Sequence, residues 1–99
     1  MREKRRYLKV LFEGSAPLNF RQADRCVQGA VLSLFGEQGM GDTRAKLLRF
    51  DEKTHLGIVK TTLAGLEKTI AALALKTNFE GKPFAIRLQK ISGAIGKLV

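Results

Sequence analysis

Ninety-nine residues with 44% hydrophobic content suffice for one small domain with a single core, and are too apolar for a disordered chain. One cysteine rules out an internal disulfide and a cysteine-rich zinc site, which suits a reducing, cytoplasmic setting. The net charge of +9 points to a polyanionic partner and excludes little else. No apolar stretch approaches the roughly 20 residues of a membrane span. The run Leu8–Phe12 is too short for a signal-peptide core and lacks a cleavage site, so folded, mature sequence is expected from the start.

Residues 6–13 alternate, with Leu8, Val10 and Phe12 on one face and Tyr7, Lys9 and Leu11 on the other, which predicts a strand. Gly14 and Pro17 break it. Asn19 with Gln22 three residues later forms a capping box, and Phe20, Ala23, Val27, Ala30, Val31 and Leu34 recur as one helical stripe. Gly36 is placed to end that helix. Residues 36–44, with three glycines, are expected to form a mobile loop. A second strand over 45–50 is expected to turn Leu48 and Phe50 inward. The polar turn 51–54 leads to a third strand over 55–63 with Leu56 and Ile58 inward. A second helix follows Gly65, with Leu66, Ile70, Leu73 and Ala74 as its stripe. Residues 78–83 break it, and a fourth strand runs over 84–91 with Phe84, Ile86 and Leu88 on one face.

The order β-α-β-β-α-β predicts an α+β, ferredoxin-like two-layer sandwich, the split βαβ arrangement also used by RNA-recognition domains. Right-handed crossovers then give an antiparallel sheet in the order 4-1-3-2, with both helices on one face and the other face free. The whole chain, 1–99, reads as one such domain, with a basic arm over 1–5 and a short extension over 92–99. The charge is uneven: residues 1–9 carry five basic and one acidic side chain, residues 82–99 four basic and none acidic, and residues 10–81 nine basic and eight acidic. Because strand 4 lies antiparallel to strand 1, this fold brings the two ends together as one basic pole. Arg2, Lys4, Arg5, Arg6, Lys9, Arg87, Lys90 and Lys97 are the expected phosphate contacts. The expected free face also carries Leu11, Leu47 and Val59 with Tyr7, an apolar set suited to a protein contact.

Catalytic chemistry is hard to assemble. His55 is the one histidine and reads as a turn residue, Cys26 as a core-edge residue, and Asp51-Glu52 as solvated turn acids. No catalytic or metal-ligating set emerges. The glycines of 36–41 leave a helix rather than enter one and lack the Gly-Lys-Ser/Thr of a phosphate loop. Residues 27–31, "VQGAV", are similar to the acylphosphatase loop but lie mid-helix with no following arginine. Strand 3 has no aromatic residue, so base stacking in the manner of RNA-recognition domains is not expected.

Four segments, "RRYLKV" (5–10), "LFGEQG" (34–39), "FDEKTHLGIVK" (50–60) and "SGAIGK" (92–97), together resemble the archaeal ribonuclease P protein component 2 family, related to a eukaryotic subunit of ribonuclease P and the mitochondrial-RNA-processing ribonuclease. Two departures stand out: one extra residue between Thr54 and Gly57, and Ala94 where the family has threonine. The resemblance implies a protein subunit of ribonuclease P, which removes the 5′ leader from precursor tRNA. It implies that the RNA subunit is the catalyst and binds Mg²⁺, with no cofactor on the protein. The implied partners are the catalytic domain of that RNA, protein component 3, other protein subunits and, indirectly, precursor tRNA. A homodimer within a heterotetramer is implied too, and no membrane. The rival readings are a generic or ribosome-associated RNA-binding protein and a ferredoxin-like interaction module.

Overall fold

The structure, a computed structural model, describes residues 4–14, 17–76, 78–79 and 82–98, and of residues 78, 79, 82 and 97 the backbone alone. In chain order the elements are β1 (Arg5–Gly14), α1 (Phe20–Thr43), β2 (Lys46–Phe50), β3 (Leu56–Thr62), α2 (Leu66–Ala74), β4 (Asn78–Phe79) and β5 (Lys82–Ser92), closed by a 3₁₀ turn, Ile95–Lys97. The sheet order is β2-β3-β1-β5-β4. Its four main strands have the expected 4-1-3-2 arrangement, with β5 in the place of the fourth strand. β4 is an addition: Asn78 and Phe79, expected only to break the second helix, pair with Pro83 and Lys82 at the start of β5.

Both helices cover one face. Leu8, Val10 and Phe12 of β1, Leu47 of β2, Val59 of β3, and Phe84 and Ile86 of β5 meet Ala23, Val27, Ala30, Val31, Ala72 and Leu73 in one core. Alternation in β1 sets this division, sending Tyr7, Lys9 and Leu11 to the other face. At the entry to α1 the Asn19 carboxamide accepts the Gln22 amide at 2.8 Å, and Gln22 Oε1 accepts the Asn19 amide at 3.1 Å. Such a cap contributes ~1 kcal/mol.

Gly36 does interrupt α1 (φ 69°, ψ −166°), but residues 37–43 then resume a helical path instead of forming the expected loop. Gly39 permits this, because a β-carbon there would fall 2.2 Å from Phe35 Cβ. The helix ends on Arg44, a non-glycine residue in the left-handed region (φ 47°) whose amide donates to Met40 O. A buried threonine network ties this end to the sheet. Thr61 Oγ1 donates to Thr43 O at 2.8 Å and lies 2.8 Å from Thr69 Oγ1, so Thr69 supplies the proton of that second bond. Thr62 Oγ1 donates to Asp42 O at 2.7 Å. Terminal helix carbonyls that would lack partners are thereby satisfied.

The strands after α1 differ in phase from the sequence expectation. Leu47 and Phe50 both turn inward although three residues apart, because Leu48 is an extra residue at a bulge: Leu47 opposes Val59 and Arg49 opposes Ile58. In β3 the inward residues are Gly57, Val59 and Thr61, not Leu56 and Ile58. Gly57 is needed there, since a β-carbon would meet Phe12 Cε1 at 2.9 Å. Phe12 packs edge-on against Phe50, with ring centroids 5.4 Å apart. A second bulge, at Gln89 of β5, places Lys90 opposite Lys9 and Leu88 opposite Val10.

Candidate nucleic-acid interface

The free face is built from alternate residues of four strands. Following the register across the sheet, one row reads Lys46–Lys60–Tyr7–Ser92 and the next Arg49–Ile58–Lys9–Lys90. Lys46 directly opposes Lys60, and Lys9 directly opposes Lys90. Opposed residues in a ladder hold their β-carbons about 4.5–5.5 Å apart, and like charges so placed destabilise the sheet. No described acidic side chain pairs with any of these five cations. A polyanion lying across the face would turn this repulsion into attraction, and would do so without reading sequence.

The expected phosphate contacts fare unequally. Lys4 is exposed, and its carbonyl accepts the Leu63 amide at 2.8 Å, so the sheet holds this part of the arm. Arg5 is exposed at the start of β1. Arg6 is half-buried, donating from Nη1 to Arg5 O at 2.8 Å, and a β-carbon on Gly93 would come within 3.5 Å of it. Tyr7 opposes Ser92. The start of β1 therefore lies beside the end of β5, as the topology required. Arg87 is exposed but ion-paired with Glu13 at 2.7 Å, which makes it the least available of the described members of the set. Arg2 lies outside the described residues, as does the side chain of Lys97, whose backbone closes the 3₁₀ turn.

The expected protein-contact set is corrected in part. Tyr7 and Leu11 face outward, both half-buried. Leu47 and Val59 are fully buried in the helix-side core, because the bulge at Leu48 and the inverted phase of β3 turn them inward. Their outward places are taken by Lys46 and Lys60. These two cations and Arg49 lie in the segment whose charges nearly cancel in sequence, so a segment count hides them; finding Lys60 needs the phase of β3, which the packing of Gly57 against Phe12 sets.

The free face is not bare throughout. Ile58 points outward yet is 5% exposed, and Leu98 is also 5% exposed, and both line one open depression with Lys9, Arg49, Leu56 and Phe50. The chain after β5 thus folds back toward this face. At the depression's rim, Asp51 closes the β2–β3 turn. Its Oδ1 accepts the amides of Lys53 at 2.8 Å and Thr54 at 3.3 Å, which hold its carboxyl below the ordinary aspartate value of 3.8. His55 follows in the left-handed region (φ 62°), with Nδ1 3.2 Å from Phe12 O. Cys26 is buried in the core, and no group of three or more His, Cys, Asp or Glu side chains suited to a metal occurs among the described residues. No helix among them is long and apolar enough to cross a membrane.

Fold and surface together define a small ferredoxin-like sandwich whose helix-free face is cationic. A chain of the yeast ribonuclease MRP cryo-EM structure shares the fold, with a TM-score of 0.79 at 12% identity, over 96% of this chain and 78% of that one. The Rpp14/Pop5 family model matches residues 6–98, and the chain belongs to that family. Among its relatives are proteins named ribonuclease P protein component 2, from Thermococcus gammatolerans at 32% identity and Pyrococcus abyssi at 30%. Each comparison spans 99% of this chain and, respectively, 82% and 83% of the relative.

Proposed function

We propose that this chain is a protein subunit of ribonuclease P that binds the enzyme's RNA through its free sheet face and basic pole, and so supports removal of the 5′ leader from precursor tRNA. The observation that carries the reading is the pair of cross-strand rows in which lysines oppose lysines with no described acidic partner. A surface of that kind loses stability by itself and regains it on a polyanion. Family membership over residues 6–98, with relatives named ribonuclease P protein component 2, supports reading that polyanion as the RNA of ribonuclease P.

In this reading the polypeptide is not the catalyst. Its cations neutralise backbone repulsion, and Mg²⁺ bound by the RNA supplies the chemistry of cleavage; the protein holds no cofactor. Lys4, Arg5, Lys9 and Lys90 act with Lys46, Arg49 and Lys60, while Arg2, Arg6 and Lys97 extend the pole. Protein component 3 and a second copy of the chain are the protein partners. Apolar surface for such contacts remains on Leu75 beside α2 and on Leu88 and Ile91 of β5, at 64%, 41% and 41% exposure. The expected setting is the cytoplasm.

The test is reconstitution. Ribonuclease P RNA, with and without this chain plus component 3, is assayed for precursor-tRNA cleavage across a Mg²⁺ series. The chain should lower the Mg²⁺ needed for cleavage. No change at any Mg²⁺ concentration would leave only a general RNA binder.

A further inference from the structure

Tyr7 sits on the free face without the apolar company expected for it. Leu47 and Val59 turn into the core, and Lys46 and Lys60 take their outward places. The ring's neighbours are polar instead. Lys60 opposes it on β3 and Ser92 opposes it on β5; Lys9 follows two residues along β1, with Lys90 opposite Lys9. Ile58, diagonal to Tyr7 on β3, is 5% exposed and offers a partner almost no surface.

The ring has no structural task that the fold requires. It is half-buried and stands outside the core cluster. Among the described residues no second ring packs on it and no cation lies over it. Its hydroxyl makes no hydrogen bond to them either, and no buried side-chain oxygen among them lacks a partner, so that hydroxyl reaches solvent. An aromatic side chain is thus presented to the outside from the central strand, with lysines around it.

We infer that Tyr7 is a stacking platform for one unpaired nucleobase of the bound RNA, with Lys9, Lys60 and Lys90 neutralising the phosphates beside that base. The inference rests on the RNA-binding reading above and deepens it: the face takes up a nucleotide that lies outside a helix. Every base has a π-face, so stacking on an aromatic ring needs no particular sequence. Bases within a duplex hide those faces against one another, and a ring projecting from a sheet reaches only unpaired ones. The paired stacking of RNA-recognition domains uses aromatics on two strands, and β3 has none; a single ring takes a single base. A protein fits this surface less well. It would have to bring carboxylates to three lysines around one ring, whereas a nucleotide carries base and phosphate in one unit.

The chain has one tyrosine and no tryptophan, so its tyrosine emission reports on Tyr7 alone. A transcript of the catalytic domain of ribonuclease P RNA is titrated into the full chain, and the emission should be quenched in step with binding. An oligouridine should quench it as well, whereas a blunt RNA duplex, held by the lysines, should not. Tyr7→Phe keeps the ring and should hold transcript affinity within about twofold. Tyr7→Leu keeps apolar bulk without a ring and should weaken binding by about 5–150-fold. Its log–log salt slope should not change, since no phosphate contact is lost, whereas Lys60→Gln should flatten the slope by about 0.7. Melting temperatures identify a variant that fails to fold, and the emission titration needs no variant. Unquenched emission at saturating transcript overturns the stack and leaves RNA binding standing. Equal quenching by the duplex overturns the unpaired base. A folded Tyr7→Leu chain that binds the transcript normally but loses protein component 3 overturns the stack in favour of a protein contact. An unmodified chain that binds no RNA at any salt overturns the parent reading and this one with it.

Discussion

Lys90→Glu should make the protein more stable and a weaker RNA binder at once. Lys9 and Lys90 are directly opposed across β1 and β5. At about 5 Å in water two unit charges interact by roughly 0.8 kcal/mol. A Debye length of about 8 Å at physiological salt roughly halves this. Reversing one charge replaces repulsion by attraction, a swing of about 0.5–1 kcal/mol once side-chain splaying is allowed for. For a domain of this size that raises the melting temperature by roughly 2–8 °C. Lys90→Gln should fall between the two. The salt slope of RNA binding should flatten by about 0.7–0.9 in either variant, with the larger affinity loss for glutamate. Thermal melts at low and high salt, with binding in parallel, measure both effects. A melting temperature that falls, together with unchanged RNA affinity, would refute the argument that these lysines are opposed for the sake of an absent polyanion.

Leu47→Ala, in the core, should destabilise by about 2–5 kcal/mol in a urea titration, whereas Leu11→Ala on the free face should lose far less; the reverse order would mean that the two faces are assigned wrongly. Because the amides of Lys53 and Thr54 depress the Asp51 pKa in the folded chain, its contribution is fully present above its ordinary value of 3.8 and is lost as pH falls through the lowered value. Asp51→Asn keeps an acceptor but removes the charge, so its stability should decline less steeply over that acid range. Superimposable acid-unfolding curves would exclude this role for the carboxylate.

The topology was legible because it depends on coarse signals: breakers at Gly14 and Pro17, the Asn19–Gln22 box, and unambiguous alternation in β1. The segment after α1 was less so. Gly36 marks a change of direction, and sequence does not distinguish a helix that stops from one that restarts after a kink. In β3 every residue from Leu56 to Val59 is apolar or glycine, so alternation carries no phase; the packing of Gly57 beneath Phe12 decides it. In β2 the apolar run Leu47-Leu48 offers two choices, and the bulge that settles them belongs to the pairing with β3. The basic pole followed from chain order once the fold was known. The cations of β2 and β3 did not, because their arrangement on one face depends on those two phases.

The two bulges have a bearing on how this chain varies. Each inserts one residue where the sheet changes from one face's requirements to the other's, at Leu48 and at Gln89. A one-residue deletion in a surface loop shortens a connection; at either of these positions it would exchange interior and exterior along the rest of the strand. Losing Leu48 would carry Arg49 toward the aromatic cluster, and losing Gln89 would remove the offset that sets Lys90 against Lys9. Among relatives about 30% identical to this chain, strand length here should therefore be held more tightly than residue identity. A gap at either position should come with a compensating change of polarity along the same strand.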